Sequence, residues 1–283
     1  MRSFRSALLP GFFLLLAVTA TISSGQSTAT DAIAQGQRQI TAYLAQLADL
    51  HCTETVTQEK LAANGHVEAS EREELDYLIM MNGTGEEFQL NESRVASSNS
   101  RRKLAAKPML ITNGISTALL VFHPYYRDSF EFEAGSEQSV AGRPAIPIHF
   151  AHIPGRRTPA ALALRGREYP LDLEGTAWLD KTSGEVIKLD ANLLHDMSDV
   201  GLRSLSIHVE YKPAGIGKKL ITMPALAVVD VTTPRQHWRN THAFDRYKSF
   251  SAEAEQDPTV KVHPAPAGSA APTALPTGSK EKQ

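Results

Sequence analysis

The chain has 283 residues, with 29 Lys and Arg against 31 Asp and Glu, for a formal net charge of −2. That balance supplies no basic face or stripe of the kind nucleic-acid binding uses. Cys52 is the only cysteine, which excludes an intramolecular disulfide, and burial as a small hydrophobe is its expected role.

Arg2 and Arg5 precede Pro10-Gly11 and the apolar run Phe12 to Val18, which fades through Thr19-Ala20-Thr21-Ile22 into small polar residues. A basic start, a short apolar core and small residues beyond it describe a secretory signal. The run falls short of the roughly 20 residues a spanning helix needs. Ser23 and Gly25 fill the small-residue positions of a cleavage site, so residues 1–25 are expected to be removed after Gly25, with Ala20 as a second candidate site. No cysteine stands just after the apolar core, which argues against a lipid anchor. The mature chain would carry 27 basic and 31 acidic residues. It has no further segment apolar enough to span a bilayer, so a periplasmic or secreted location is expected.

Residues 26–30 read as a linker. Ile33, Ile40, Tyr43, Leu44, Leu47 and Leu50 then recur at helical spacing, with Thr30 as N-cap and Gly36 as a weak point. After Leu50 the period drops to two. Cys52–Thr57 alternates, Leu75, Tyr77 and Ile79 share a face before the Asn82-Gly83 turn signal, and Phe88, Leu90 and Glu92 continue. Glu71, Glu73 and Glu74 beside Arg72 read as a solvated turn, and 96–107 as an exposed polar loop. Gly114–Phe122 predicts a short second helix ended by Pro124. Beyond Arg127, alternation recurs at Phe130 and Phe132, at Ile146, Ile148 and Phe150, at Ile187 to Leu193, and at Leu205 to Tyr211. Ala225–Val231 and His237–Phe250 complete the set. One wet and one dry face per strand is the habit of antiparallel sheets. Residues 258–283 hold five Pro, five Ala and no aromatic residue, so 256–283 is expected to be a disordered tail. The chain therefore predicts one α+β domain over residues 30–255, with about nine to eleven antiparallel strands, an N-terminal helix and a short second helix.

The segment Gly175-Thr176-Ala177-Trp178-Leu179-Asp180-Lys181-Thr182-Ser183-Gly184 resembles the Gly-x-hydrophobic-Trp-hydrophobic-Asp-x-x-[Ser/Thr]-Gly hairpin of the LolA-like superfamily, the periplasmic lipoprotein carriers and their relatives. Leu50–Thr57 after the first helix, and the ending Phe244-Asp245-Arg246-Tyr247-Lys248-Ser249-Phe250, are similar to an uncharacterised, acidobacterial-type set of exported proteins with that fold. The resemblance covers most of residues 33–250. It implies a strongly curved, unclosed half-barrel with helices across its concave side, where the carriers bind acyl chains. Carriers tether that lid to the sheet with an Arg, and no single Arg of this chain stands out as its match.

Chemistry-bearing constellations are sparse. His149 and His152 fall on opposite faces of a strand, which is poor geometry for the three or four convergent ligands of zinc. They are expected to be solvated, and His237 and His242 offer no better cluster. Ser206 beside His208 lies on a regular strand with no nucleophile elbow, and His51 points away from Cys52. Asn82-Gly83-Thr84 and Asn91-Glu92-Ser93 fit the glycosylation pattern by chance. No catalytic site, metal or cofactor is expected. The reading is a cell-envelope binding module for a lipid, a lipoprotein or another apolar ligand. Its candidate lining is Leu75, Tyr77, Ile79, Phe130, Phe132, Ile187, Leu189, Leu205, Ile207 and Val209. The alternative is a structural or protein–protein interaction module of the envelope with no small-molecule ligand. Trp178 is expected to lie covered in the outer hairpin.

Overall fold

Strict alternation over long stretches favours strands, and the described residues form thirteen of them. The computed structural model describes residues 24–47, 50–82, 89–96, 109–216 and 218–249. The signal segment through Ser23, Gly83 of the expected turn, Phe88, the basic stretch 97–107 and the tail 256–283 lie outside the described residues.

Helix α1 (Ser24–Leu47) leads into β1 (Leu50–Leu61), β2 (Val67–Asn82) and β3 (Gln89–Ala96). A cover segment follows, with a 3-10 helix over Ile115–Phe122 and a single turn α2 (Pro124–Arg127). Next come β4 (Phe130–Ala134), β5 (Gln138–Val140), β6 (Arg143–His152) and the separate hairpin β7 (Ala161–Leu164) with β8 (Arg167–Pro170). The chain closes with β9 (Leu173–Asp180), β10 (Val186–Leu193), β11 (Ser204–Ile216), β12 (Lys219–Thr232) and β13 (His237–Ser249).

Ten strands run in the order β3-β2-β1-β13-β12-β11-β10-β9-β6-β4, with β5 paired to β6. Every pairing is antiparallel, as between β1 and β13 (Val56 opposite His242) and between β10 and β11 (Leu189 opposite Val209). The path ends at β3 and at β4, so the sheet is an open half-barrel. Its core lies on the concave side, where Ile40, Leu44 and Leu47 of α1 and Ile115, Leu119, Leu120, Val121 and Phe122 of the 3-10 helix join the sheet residues in one cluster.

Two expectations are corrected. Residues 26–30 are helical, because α1 already begins at Ser24 and nothing between Gln26 and Thr30 breaks it. Glu71 to Glu74 lie within β2 and pair with β1 (Glu74 opposite Thr55), since a partner strand reaching Leu61 supplies backbone hydrogen bonds along their whole length. The chain turns instead at Ala62–His66, where Gly65 takes φ 82° and Asn64 Oδ1 accepts from the His66 amide at 3.0 Å. The second helix does end at Phe122, with His123 extended before Pro124, and Pro124 then starts α2 at the first-turn position where its missing N–H is harmless. Gly36, a weak point by propensity, has a packing role: a Cβ there would meet Leu179 Cδ2 at 2.3 Å, so glycine lets α1 lie close on the sheet.

Candidate functional site

The concave face divides into two halves of different chemistry. Over β3, β2, β1 and β13 the inward positions include Arg94, Glu54, Asn240 and His242. Glu54, Asn240 and His242 are all 0% exposed. Register places these residues together, because Arg94 pairs with Tyr77, Glu54 lies between Leu75 and Phe244, and His242 pairs with Val56. Arg94 Nη2 donates to Glu54 Oε1 at 2.8 Å, and its Nε lies 2.7 Å from Oε2 as a charge contact rather than an aligned hydrogen bond. His242 Nδ1 lies 2.7 Å from the same Oε1, and its Nε2 lies 2.7 Å from Thr112 Oγ1. One arrangement of protons satisfies all of these contacts. Nδ1–H donates to Glu54, the Thr112 hydroxyl donates to Nε2, and Asn240 Nδ2 donates to Thr112 Oγ1 at 3.0 Å.

This network grips the backbone of 110–114, the strand-like lead into the 3-10 helix. Gln58 and Asn240 both donate to the Leu110 carbonyl, at 2.7 and 2.8 Å. Arg94 Nη1 donates to the Thr112 carbonyl at 2.9 Å and to the Asn113 side chain. Glu92 accepts from the Gly114 amide at 3.0 Å. Below the latch, Arg94 lies over the Tyr77 ring, and the Tyr77 hydroxyl meets Ser116 Oγ at 2.6 Å. Arg94 is thus an arginine tether between cover and sheet. Sequence alternation could have exposed the latch, because Glu54 and His242 sit at inward positions beside Cys52, Val56 and Phe244, where an apolar residue is the rule.

The other half, over β12, β11, β10, β9, β6 and β4, is apolar. Phe122 of the cover packs on Phe132 at 5.0 Å and edge-on to Phe150 at 5.8 Å. Of the ten lining candidates, Tyr77, Ile79, Phe130, Leu189 and Val209 are buried in the core cluster, and Phe132, Leu205 and Ile207 pack against it half-buried. Leu75 is buried beside Glu54, and Ile187 is buried at a β-bulge, both outside that cluster. In this state the ten residues form packing rather than an open hollow.

Where α1 crosses β10, β11 and β12, a cleft of about 80 Å³ remains, lined by Ile40, Tyr43, Leu119, Val186, Tyr211 and Ile221, with Gln39, Gln46, Glu185 and Thr222 among its polar groups. Ligand pockets run to roughly 300–1,000 Å³, so the cleft is a mouth rather than a chamber. Tyr43 packs edge-on to Tyr211 at 6.0 Å. Burial pushes the Tyr211 phenol far above its ordinary value, and its hydroxyl is buried without a hydrogen-bond partner. The Trp-x-Asp-x-x-Ser-Gly segment shapes one wall of the cleft. Asp180 Oδ1 accepts from the amides of Thr182 and Ser183 at 2.9 and 2.8 Å, and Arg143 binds Oδ2 at 2.8 Å. Gly184 then turns at φ 74°, where a Cβ would meet Gln39 of α1 at 3.0 Å.

The remaining constellations carry no chemistry of their own. His149 and His152 do point to opposite sides of β6. His149 is exposed beside Thr176, but His152 is buried and lies 2.7 Å from Asp172, which corrects the solvated reading of that residue. Its ring packs edge-on against Phe130, which gives it an apolar berth. His208 pairs with Asp190 across the convex face. Cys52 is buried, and desolvation together with the nearby Glu54 charge pushes its thiol up to about 12, so it stays a protonated thiol near neutral pH. Among the described residues no three His, Cys, Asp or Glu side chains converge on a metal position, and no helix is long and apolar enough to cross a membrane.

No protein-family model matches the chain, and no curated protein matches it in sequence. Solved structures similar to it include DUF1329 and LolA-superfamily proteins. A DUF1329 family protein from Desulfovibrio piger is 11% identical, with 77% of this chain and 93% of that chain covered and a TM-score of 0.40. A LolA superfamily protein from Nitrosomonas europaea is 10% identical over 78% of this chain and 93% of that one, with a TM-score of 0.35. A domain described as an outer membrane lipoprotein-sorting protein, from Vibrio parahaemolyticus, is 10% identical over 82% and 96%, with a TM-score of 0.40. At that level of similarity, function and residue roles do not transfer. The open antiparallel half-barrel with its helical cover stands on this chain's own strand order.

Proposed function

We propose that the chain is an exported cell-envelope binding module that holds a lipid or other apolar ligand between the half-barrel and its helical cover. The observation that carries this reading is the asymmetric cover. It is latched by charged and hydrogen-bonding side chains along β3, β1 and β13, whereas over β12 to β4 its contacts are mainly apolar, with the Tyr43 hydroxyl on the Ser116 carbonyl as a directed bond beside the cleft. Apolar contact is non-directional, so that end can part and re-pack around an inserted chain at modest cost. The lining would then be Phe130, Phe132, Leu189, Leu205, Ile207 and Val209, with Leu75, Tyr77, Ile79 and Ile187 nearer the margins. Native mass spectrometry and lipid extraction of protein taken from its own periplasm test the reading. A co-purifying apolar ligand is expected, and protein recovered free of any would count heavily against it.

A second reading, an interaction module without a ligand, is favoured by the small volume of the cleft and by β3. That strand is an edge of the sheet and carries Val95 at 59% exposure. Cross-linking in the periplasm separates the two, since a stable protein partner without bound lipid belongs to this reading alone.

A further inference from the structure

The four tyrosines under and beside α1 differ in one respect. Tyr43 donates to the Ser116 carbonyl at 3.2 Å, Tyr77 shares a hydrogen bond with Ser116 Oγ, and Tyr247 donates to the Pro224 carbonyl at 2.7 Å. Tyr211 is 4% exposed, yet its hydroxyl has no hydrogen-bond partner among the described residues. A buried donor left unpaired carries a free-energy penalty, and Phe at this position would fill nearly the same space without it. Tyr211 also lines the cleft at the α1 end. The cleft holds apolar walls, two glutamines, a threonine and the carboxylate of Glu185, but no lysine or arginine. An anionic head group placed there would face Glu185 with no cation to offset it.

We infer that the ligand carries a neutral hydrogen-bond acceptor beside its apolar chain, an ester or amide carbonyl, and that Tyr211 is the donor that selects it. The inference rests on the apolar-ligand reading above and adds the chemistry of the head group. A volume of about 80 Å³ suits an acceptor group and its first methylenes, with the rest of the chain entering under the cover where apolar contacts part. Lys218 and Lys219, exposed on the β11–β12 hairpin just before Ile221, are the cations that a carboxylate ligand would use instead.

The test is displacement of a neutral fluorescent probe, N-phenyl-1-naphthylamine, from delipidated protein by methyl laurate and by lauric acid near neutral pH. The ester should compete about tenfold more tightly than the acid. Tyr211→Phe should weaken the ester by about five- to tenfold, the scale of one neutral hydrogen bond, and leave the acid unchanged. Melting of unliganded Tyr211→Phe should be unchanged or raised, because an orphan hydroxyl has been removed. Equal affinity for acid and ester, or an ester affinity that ignores Tyr211→Phe, overturns the head-group assignment while the apolar-ligand reading stands. Tighter acid binding that is lost in Lys219→Gln overturns it too and moves the head group to the hairpin. A clearly lower melting point for Tyr211→Phe would mean that the hydroxyl is satisfied within the fold, and would also overturn it. If the probe, the ester and the acid all fail to bind, the apolar-ligand reading falls together with the inference.

Discussion

The two ends of one concave face hold the same cover by opposite means. At the β3 end, Arg94, Asn240, Gln58 and Glu92 grip the backbone of 110–114 through directed hydrogen bonds, with Glu54 and His242 holding Arg94 and the Thr112 hydroxyl in place. At the β4 end, Phe122, Phe132 and Phe150 hold it by aromatic packing. The difference shows what each kind of contact is good for. Directed bonds in a low-dielectric site fix one register and lose nearly everything when displaced. Apolar surface tolerates sliding and substitution provided volume is kept. A cover built this way has a fixed end and an adjustable end.

The sharpest way to break the comparison is at Glu54. Glu54→Gln keeps the shape but leaves the Arg94 guanidinium, only 16% exposed, with Glu92 at 3.4 Å as its remaining counter-charge in place of the fully buried Glu54. Removing one partner of a buried pair typically costs about 3–5 kcal/mol. Against a margin of about 5–15 kcal/mol for a whole domain, urea denaturation should show a large drop in midpoint. Replacing Glu54, Arg94 and His242 together with apolar residues of similar volume, and Glu92 with Gln, should be no worse than the single change, because no charge is then stranded. If Glu54→Gln melted with wild type, the latch would be no anchor.

At the apolar end, Leu189→Ala should cost about 2–5 kcal/mol by opening a cavity at a position that is 0% exposed. The sign of its effect on ligand affinity sharpens the contrast. Added space beneath the cover should strengthen or preserve binding of an apolar probe, whereas Glu54→Gln should weaken it by loosening the fixed end. Fluorescence titration of both variants with N-phenyl-1-naphthylamine, in conditions where each remains folded, checks the ordering.

Periodicity made the apolar half legible before any coordinates. Leu189 and Val209, at alternate positions of two strands, do face each other in the core. The latch was legible only in part: alternation puts Glu54 and His242 on the inward face, but nothing local brings them together, since they are 188 positions apart. A strand pattern states which face a residue takes but not which distant strand lies beside it. His152 was misread for a related reason. Its parity on β6 was right, but its berth against Phe130 and Asp172 is set by neighbours that the local sequence does not name. The Asn64-Gly65 turn was readable and was missed, since the acidic run at 71–74 drew the turn toward itself.

Asp180 tests the wall of the mouth. Its carboxylate is held below the ordinary range, first by the Ser183 amide, then by the Thr182 amide and Arg143, against a smaller opposing effect of burial. Asp180→Ala should therefore cost about 1.5–3 kcal/mol near neutral pH, the scale of hydrogen bonds to a charged group. A carboxylate whose folded value is depressed stabilises the fold above the unfolded value of about 3.9 and loses that contribution as pH falls through the folded value. The gap between wild type and Asp180→Ala should accordingly close on acidification through and below the ordinary carboxylate range. Chemical denaturation of both proteins across that range would disprove the assignment if the gap stayed constant or widened.

Trp178 gives the smallest effect and lies on neither half of the concave face. Its strand carries Ala177 and Leu179 inward, so the indole stands on the convex side, opposite Lys188 on β10 and Pro147 on β6. It is half-buried there, with Lys188 Nζ 3.7 Å from the ring centroid, so the covered position expected from the sequence is reached only in part. A long lysine can shelter an aromatic face with its stem while its ammonium interacts with the ring. A buried large aromatic would cost about 3–5 kcal/mol on truncation. Here only part of that area is withdrawn from water, and an exposed cation–π contact adds about 0.5–1 kcal/mol, so Trp178→Ala should cost about 1–2 kcal/mol. Lys188→Met should recover part of the shelter without the charge and fall between wild type and Trp178→Ala. Neither change should alter affinity for an apolar probe, since the indole faces away from the cover. A loss of binding in Trp178→Ala at unchanged stability would place the ligand on the convex side and undo the contrast between the two concave ends.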